Sequence, residues 1–101
     1  MKKINLKVTV VGGAAPLKIL VNLFKDKNLV SEHSSSISFE KDFTGLTDGK
    51  YTLFVQGFNP AVNSAYTTLD ISGVGINIIS PSTLPVKKSG VGYFVQFKFT
   101  V

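Results

Sequence analysis

Apolar and polar residues alternate with a period of two along most of this chain, the spacing that puts every second side chain of a β-strand on one face of a sheet. Over Lys3 to Val11, Ile4, Leu6, Val8 and Val10 fall on one side and Asn5, Lys7 and Thr9 on the other, which predicts a half-buried first strand. Gly12-Gly13-Ala14-Ala15-Pro16 breaks it. Leu17, Ile19, Val21 and Leu23 then make the inward face of a second strand. Its other face, Lys18, Leu20, Asn22 and Phe24, is more apolar than a solvated face needs to be. A helix over residues 17 to 30 is the competing reading, but the apolar positions recur at two rather than at three and four, and the strand is preferred. Lys25-Asp26-Lys27-Asn28 predicts a hairpin turn into a short strand near Leu29 to His33. Ser34-Ser35-Ser36 reads as a polar break, and Ile37 with Phe39 marks another short strand.

The stretch from Phe43 to Phe58, FTGLTDGKYTLFVQGF, organises the rest. Thr47-Asp48-Gly49-Lys50 is a turn, with Asp48 free to bond backbone amides and Gly49 free to take positive φ. From Tyr51 a strand begins in which Tyr51, Leu53, Val55 and Gly57 share one face and Thr52, Phe54, Gln56 and Phe58 the other. Leu46 before the turn and Tyr51 after it dock into one core, and the tyrosine hydroxyl then reaches a nearby backbone group.

Beyond a loop at Phe58-Asn59-Pro60-Ala61, a strand is expected at Tyr66 to Ile71 and another at Gly75 to Ile79. Ser80-Pro81-Ser82-Thr83-Leu84-Pro85 is a loop, because its two prolines exclude a central strand. Lys87-Lys88-Ser89-Gly90 leads into the strongest alternation, in which Val91, Tyr93, Val95, Phe97, Phe99 and Val101 point inward. Gly92, Gln96, Lys98 and Thr100 point outward, joined by Phe94. Seven or eight short antiparallel strands at this spacing predict an all-β sandwich, one domain over residues 1–101.

Composition narrows the chemistry. Absence of cysteine excludes a disulfide framework and a thiolate metal site, so packing alone holds the core. The net charge is +5 and every basic residue is lysine. Without arginine, the bidentate phosphate and guanine contacts of nucleic-acid readers are missing, and dispersed lysines read as a solubilising surface or edge-strand guards. No apolar run is long enough for a membrane span. Met-Lys-Lys has the charge of a signal-peptide start, but Lys7 interrupts any apolar core, so no export signal is read. His33, the one histidine, has no second donor at metal-site spacing. Ser34-Ser35-Ser36 lacks a supporting base, Asp26, Asp42 and Asp48 do not match a calcium loop, and Gly73-Val74-Gly75 precedes no helix that would cradle phosphate. These residues imply neither enzyme chemistry nor a cofactor.

The run from Leu17 to Asn59 resembles transthyretin-like sandwiches, specifically the carboxypeptidase regulatory-like and Cna-B-type modules. A Phe43-Thr44-Gly45-Leu46 approach, then Asp48-Gly49-Lys50-Tyr51-Thr52-Leu53 and Gly57-Phe58, carry the likeness. The resemblance implies an immunoglobulin-like sandwich with a tyrosine corner, used as a structural, adhesive or spacer module. The chemical options of such families are not met. Where an isopeptide-forming module places a glutamate this chain has Val55, and its last strand holds no asparagine. The purine-pathway hydrolases of this fold need several histidines and an arginine; the zinc chemistry of carboxypeptidases resides in another domain.

One feature exceeds a plain sandwich. Leu20, Phe24, Phe54, Phe58 and Phe94 fall on faces whose neighbours are polar, and residues 51 to 69 carry no charge. Clustered, they would form an apolar patch of the kind that marks an interface; otherwise a loop covers them. The expectation is a non-enzymatic structural protein docking through a sheet face or edge onto a protein assembly, with a homo-oligomer also open. A single module with its own Met, no export signal and no cysteine fits an auxiliary (decoration) capsid protein of a bacteriophage, assembled in the host cytoplasm into the virion. The alternative is a carbohydrate-binding or adhesive module using Tyr66, Phe58 and Asn59, although the chain has no tryptophan to stack on a glycan.

Overall fold

The computed structural model describes residues 2–101; Met1, the first residue of the Met-Lys-Lys opening, lies outside the described residues. Nine strands follow in order: β1 (Lys2–Val11), β2 (Ile19–Lys25), β3 (Asn28–Ser35), β4 (Phe39–Leu46), β5 (Lys50–Phe58), β6 (Tyr66–Ser72), β7 (Asn77–Ser80), β8 (Val86–Ser89) and β9 (Gly92–Thr100). They pair antiparallel in two sheets, one in the order β4-β1-β6-β8 and one in the order β3-β2-β5-β9-β7. Among the described residues there is no helix, and residues 19 to 25, where a helix competed, are strand.

The sandwich closes because alternation places one apolar face of each sheet against the other. Ile4, Leu6, Val8, Phe43, Leu69 and Ile71 come from the first sheet; Ile19, Val21, Leu23, Leu53, Val55, Val95, Phe97 and Phe99 come from the second. Each fully buried large side chain contributes about 1.5–3 kcal/mol of transfer free energy, enough to hold a cysteine-free domain.

Several expectations are corrected. Among the described residues the strands number nine because Val86–Ser89 pairs with β6 through Leu69↔Val86 and Thr67↔Lys88, despite the prolines before it and its two lysines. Leu17 and Val91 are not inward-facing: they are 61% and 81% exposed and lie outside β2 and β9. Alternation continues past the last ladder bond, so it does not mark a strand end. Ile37 is exposed and outside any strand, whereas β4 runs unbroken from Phe39 to Leu46. Ser34 and Ser35 belong to β3, an edge strand that needs little apolar content. β7 starts at Asn77, because Gly75 takes a φ of 72° in the turn before it.

The turn from Leu46 to Tyr51 is held by side chains on both sides of it. Leu46 and Tyr51 are both buried, and the Tyr51 ring stacks on Phe99 with centroids 5.2 Å apart. The Tyr51 hydroxyl accepts from the Thr47 N–H at 3.1 Å and donates to the Thr47 carbonyl at 2.8 Å, using both capacities of a phenol. The Asp48 carboxylate makes no side-chain hydrogen bond among the described residues, and the Thr47 amide is served by Tyr51. Lys25 Nζ donates to Thr47 Oγ1 at 2.6 Å, and Gly49 exchanges two backbone bonds with Val101, tying the last residue to the turn. Gly49 has a φ of 155°, and a Cβ there would lie 2.6 Å from Lys25 Cε.

Glycine and aromatic residues face each other at the opposite end of β5. Gly57 pairs with Tyr93 and Phe58 pairs with Gly92. A Cβ on Gly57 would come within 2.6 Å of the Tyr93 oxygen, and one on Gly92 within 3.3 Å of the Phe58 ring. Each aromatic ring thus covers the bare backbone of a glycine on the neighbouring strand, Tyr93 on the inner side and Phe58 on the outer. Among the described residues the Tyr93 hydroxyl is buried without a hydrogen-bond partner. Burial pushes its phenol above the ordinary value of 10.0, with the Thr67 hydroxyl acting the other way.

Tyr51→Phe should cost about 0.5–1.5 kcal/mol, read as a melting-temperature drop of roughly 4–8 °C per kcal/mol in a domain this size. Gly49→Val should cost more, because a branched side chain is strained at positive φ and displaces the Lys25 stem. Unchanged melting for both would remove the corner from the forces that hold the turn. Tyr93→Phe, by contrast, should leave the urea midpoint at pH 7 equal or higher, since it deletes a buried, unpartnered hydroxyl. The folded phenol titrates above the unfolded one, so the stability tied to its neutral form is complete below about pH 10 and is lost as pH rises through the folded value. The wild-type protein should therefore lose more stability than Tyr93→Phe between pH 9 and about pH 11. Destabilisation of the variant at pH 7 would show that the hydroxyl is bonded.

Candidate docking face on the five-stranded sheet

Three adjacent strands, β2, β5 and β9, carry the face turned away from the core. Their register lays the outward residues in rows: Leu20–Gln56–Phe94, then Asn22–Phe54–Gln96, then Phe24–Thr52–Lys98. Phe54 sits at the centre of this grid. Phe24 meets it edge-on, with ring centroids 5.5 Å apart and planes at 86°; Phe94 stacks on it at 5.5 Å and 28°. The three rings form a diagonal ladder across three strands, the cross-strand geometry in which aromatic side chains reach one another.

Among the described residues no loop covers this ladder. Phe94 is 54% exposed and Leu20 47%, whereas Phe24 and Phe54 are half-buried by each other and by their row neighbours. Of the five residues singled out, four therefore lie together: Leu20, Phe24, Phe54 and Phe94. Phe58 is on the same face and 39% exposed, but it is engaged over Gly92 and lines a separate cleft of about 330 Å³ with Pro16, Pro60, Val62 and Val91.

Two members of the patch escaped the sequence reading. Leu29 on β3 pairs with Phe24 and extends the apolar surface to the sheet edge. A register shift between Leu23 and Phe24 puts it there, out of step with Glu32 and Ser34, which pair with Asn22 and Leu20. Exposed Ile79 on β7 shares a shallow cleft with Lys50, Thr52 and Lys98 at the other edge. Within the short β7 no alternation distinguishes it from Ile78, and only the pairing does.

The opposite sheet has a different outer surface. Lys7 lies between Glu40 on β4 and Asp70 on β6. Asn5 Nδ2 donates to Asp42 Oδ1 at 2.8 Å and to Glu40 Oε2 at 3.1 Å, and Lys3 pairs with Asp42 at 3.4 Å. Hydrogen bonding from Asn5, aided by the Lys3 charge, holds the Asp42 carboxyl below the usual carboxylate range. One outer face is thus a charge lattice and the other an aromatic ladder.

The residues named for glycan contact do not make one platform. Tyr66 is on the four-stranded sheet, with Lys87 Nζ 4.3 Å above its ring. Asn59 is buried and its amide is fully occupied. Nδ2 donates to the carbonyls of Lys88 and Gly90 at 3.2 and 2.8 Å, and Oδ1 accepts from Thr67 Oγ1 at 2.6 Å. That network ties the loop after β5 to the β8–β9 turn. His33 rests on Phe39 at 4.9 Å, and among the described residues no three acidic or histidine side chains converge as metal ligands would. No family model, curated protein or solved structure matches this chain.

Proposed function

We propose that the protein is a non-enzymatic structural component that docks onto a protein assembly through the outer face of its five-stranded sheet. The observation that carries this reading is the uncovered Phe24–Phe54–Phe94 ladder with Leu20 beside it. A contiguous apolar surface raises the free energy of the isolated protein in water, and covering it in an interface recovers that free energy. The sheet on the other side, with its paired charges, has no comparable incentive to be covered. The tyrosine corner at Thr47 and Tyr51 supports reading the sandwich as immunoglobulin-like of transthyretin-like type. By analogy with immunoglobulin-like sandwiches that decorate particles, the assembly is a bacteriophage particle and the protein an auxiliary (decoration) capsid protein. Many weakly bound copies then act together, each bridging neighbouring subunits.

A particle-binding assay beside thermal melts of the free protein tests this. Completing the burial of a half-exposed phenylalanine is worth about half of the 1.5–3 kcal/mol for a whole one, and 1.4 kcal/mol is about tenfold in affinity. Phe94→Ser should therefore weaken incorporation roughly three- to tenfold while the melting temperature stays nearly unchanged, and Lys7→Ser on the opposite face should do neither. Incorporation indifferent to Phe94→Ser would remove the ladder from the docking surface.

A further inference from the structure

We propose that the outer face of the five-stranded sheet pairs with the same face of a second copy, in a twofold dimer with β5 lying over β5. This rests on the docking reading above and names the partner that takes that face in the free protein. The grid described above is laid out symmetrically about β5. Leu20 and Phe94 flank Gln56, Asn22 and Gln96 flank Phe54, and Phe24 and Lys98 flank Thr52. A twofold axis parallel to β5, passing beside Phe54, therefore sets each flanking residue against its counterpart on the other copy. Leu20 meets Phe94, apolar on aromatic. Asn22 meets Gln96, and two carboxamides exchange donor and acceptor. Phe24 meets Lys98, an ammonium over a ring. Phe54 meets its own copy on the axis. Every off-axis contact occurs twice, as an isologous interface requires.

Charge selects this axis over the other twofold that would also centre on Phe54. An axis across the strands returns β3 onto β3, in the row where Glu32 stands beside Asn22, and so sets Glu32 against Glu32. An axis along β5 instead carries Glu32 to the side of the second copy that bears Lys98 and away from itself. Sheets pack face to face about 10 Å apart and within roughly 30° of alignment, a geometry that preserves these row contacts near the axis. Five strands at about 4.8 Å by some 20 Å of strand length give on the order of 500 Å² a side, at the low end of specific interfaces. The dimer is accordingly weak and reversible. A particle surface that binds the same face displaces the second copy by mass action, so the dimer is the state of the free protein.

Sedimentation equilibrium on the full chain, from about 1 to 500 µM, tests the arrangement across the range expected of a small interface. The expected result is a mass rising from monomer to dimer, with dimerisation weakened about tenfold or more by Phe94→Ser and likewise by Lys98→Glu, both at unchanged melting temperature. Lys98→Glu alters an exposed strand position, so it keeps the test decisive if Phe94→Ser fails to fold. Glu32→Gln should leave dimerisation equal or weaker. Dimerisation strengthened by Glu32→Gln would overturn this axis, and a dimer indifferent to both other variants would overturn this face. A monomer at every concentration would overturn the dimer altogether. In that last case, particle capture that still depends on Phe94 would leave the docking reading standing with a different partner, and capture that does not would remove both.

Discussion

β5 carries apolar side chains on both faces, and the whole structure depends on its being held in one register. Tyr51, Leu53 and Val55 face the core; Phe54 and Phe58 face away. A slip of one residue would exchange the two sets. Hydrophobicity opposes this only through Thr52 and Gln56, whose polar groups would then be buried at a cost of order 1–3 kcal/mol each. Two local fits do the rest. At one end the Tyr51 hydroxyl is bonded to both backbone groups of Thr47. At the other, Gly57 sits where any side chain would strike the Tyr93 oxygen, and Phe58 covers Gly92. Strand β5 is pinned at both ends, so the positions between have no freedom to shift.

Pinning the centre fixes the neighbours. With β2 and β9 in register on either side of β5, Leu23, Leu53 and Phe97 share one buried row, as do Val21, Val55 and Val95. The same register delivers Phe24, Phe54 and Phe94 to the opposite side as a diagonal ladder. The core and the candidate docking face are thus two products of one alignment. On the other sheet, alternation between Ile4, Leu6, Val8 and Asn5, Lys7 is unambiguous, and its outer surface becomes polar instead, with the Lys3–Asp42 ion pair and the Asn5 bonds to Glu40 and Asp42.

Much of this was legible in the sequence because strand faces follow from parity. The inward face of β9 and the apolar outer residues of β2, β5 and β9 came from counting by two, and the corner at Leu46, Gly49 and Tyr51 from the turn residues Thr47-Asp48-Gly49-Lys50. What parity cannot supply is partnership. Val86–Ser89 looks like loop, since Pro85 precedes it and lysines fill it; it is a strand because β6 offers it Thr67 and Leu69. Leu17, Ile37 and Val91 keep the alternation but lie beyond the ladders, where nothing covers them. Asn59 reads as a free loop amide, yet three chain-distant or loop-separated groups, Thr67, Lys88 and Gly90, consume its bonding capacity. Leu29 joined the patch only through a register shift that no local pattern announces.

The central claim is that the aromatic ladder is a stable, open surface and not a second core. Side-chain NMR of dilute, monomeric protein with a soluble paramagnetic probe addresses it directly, since only solvent-facing protons are broadened. Ring protons of Phe94 and methyl protons of Leu20 should broaden strongly, Phe24 and Phe54 less, and Phe97, Phe99 and Leu53 not at all. Protection of Phe94 and Leu20 equal to that of Phe97 would contradict the account, because the ladder would then be covered within the single chain and unavailable to any partner.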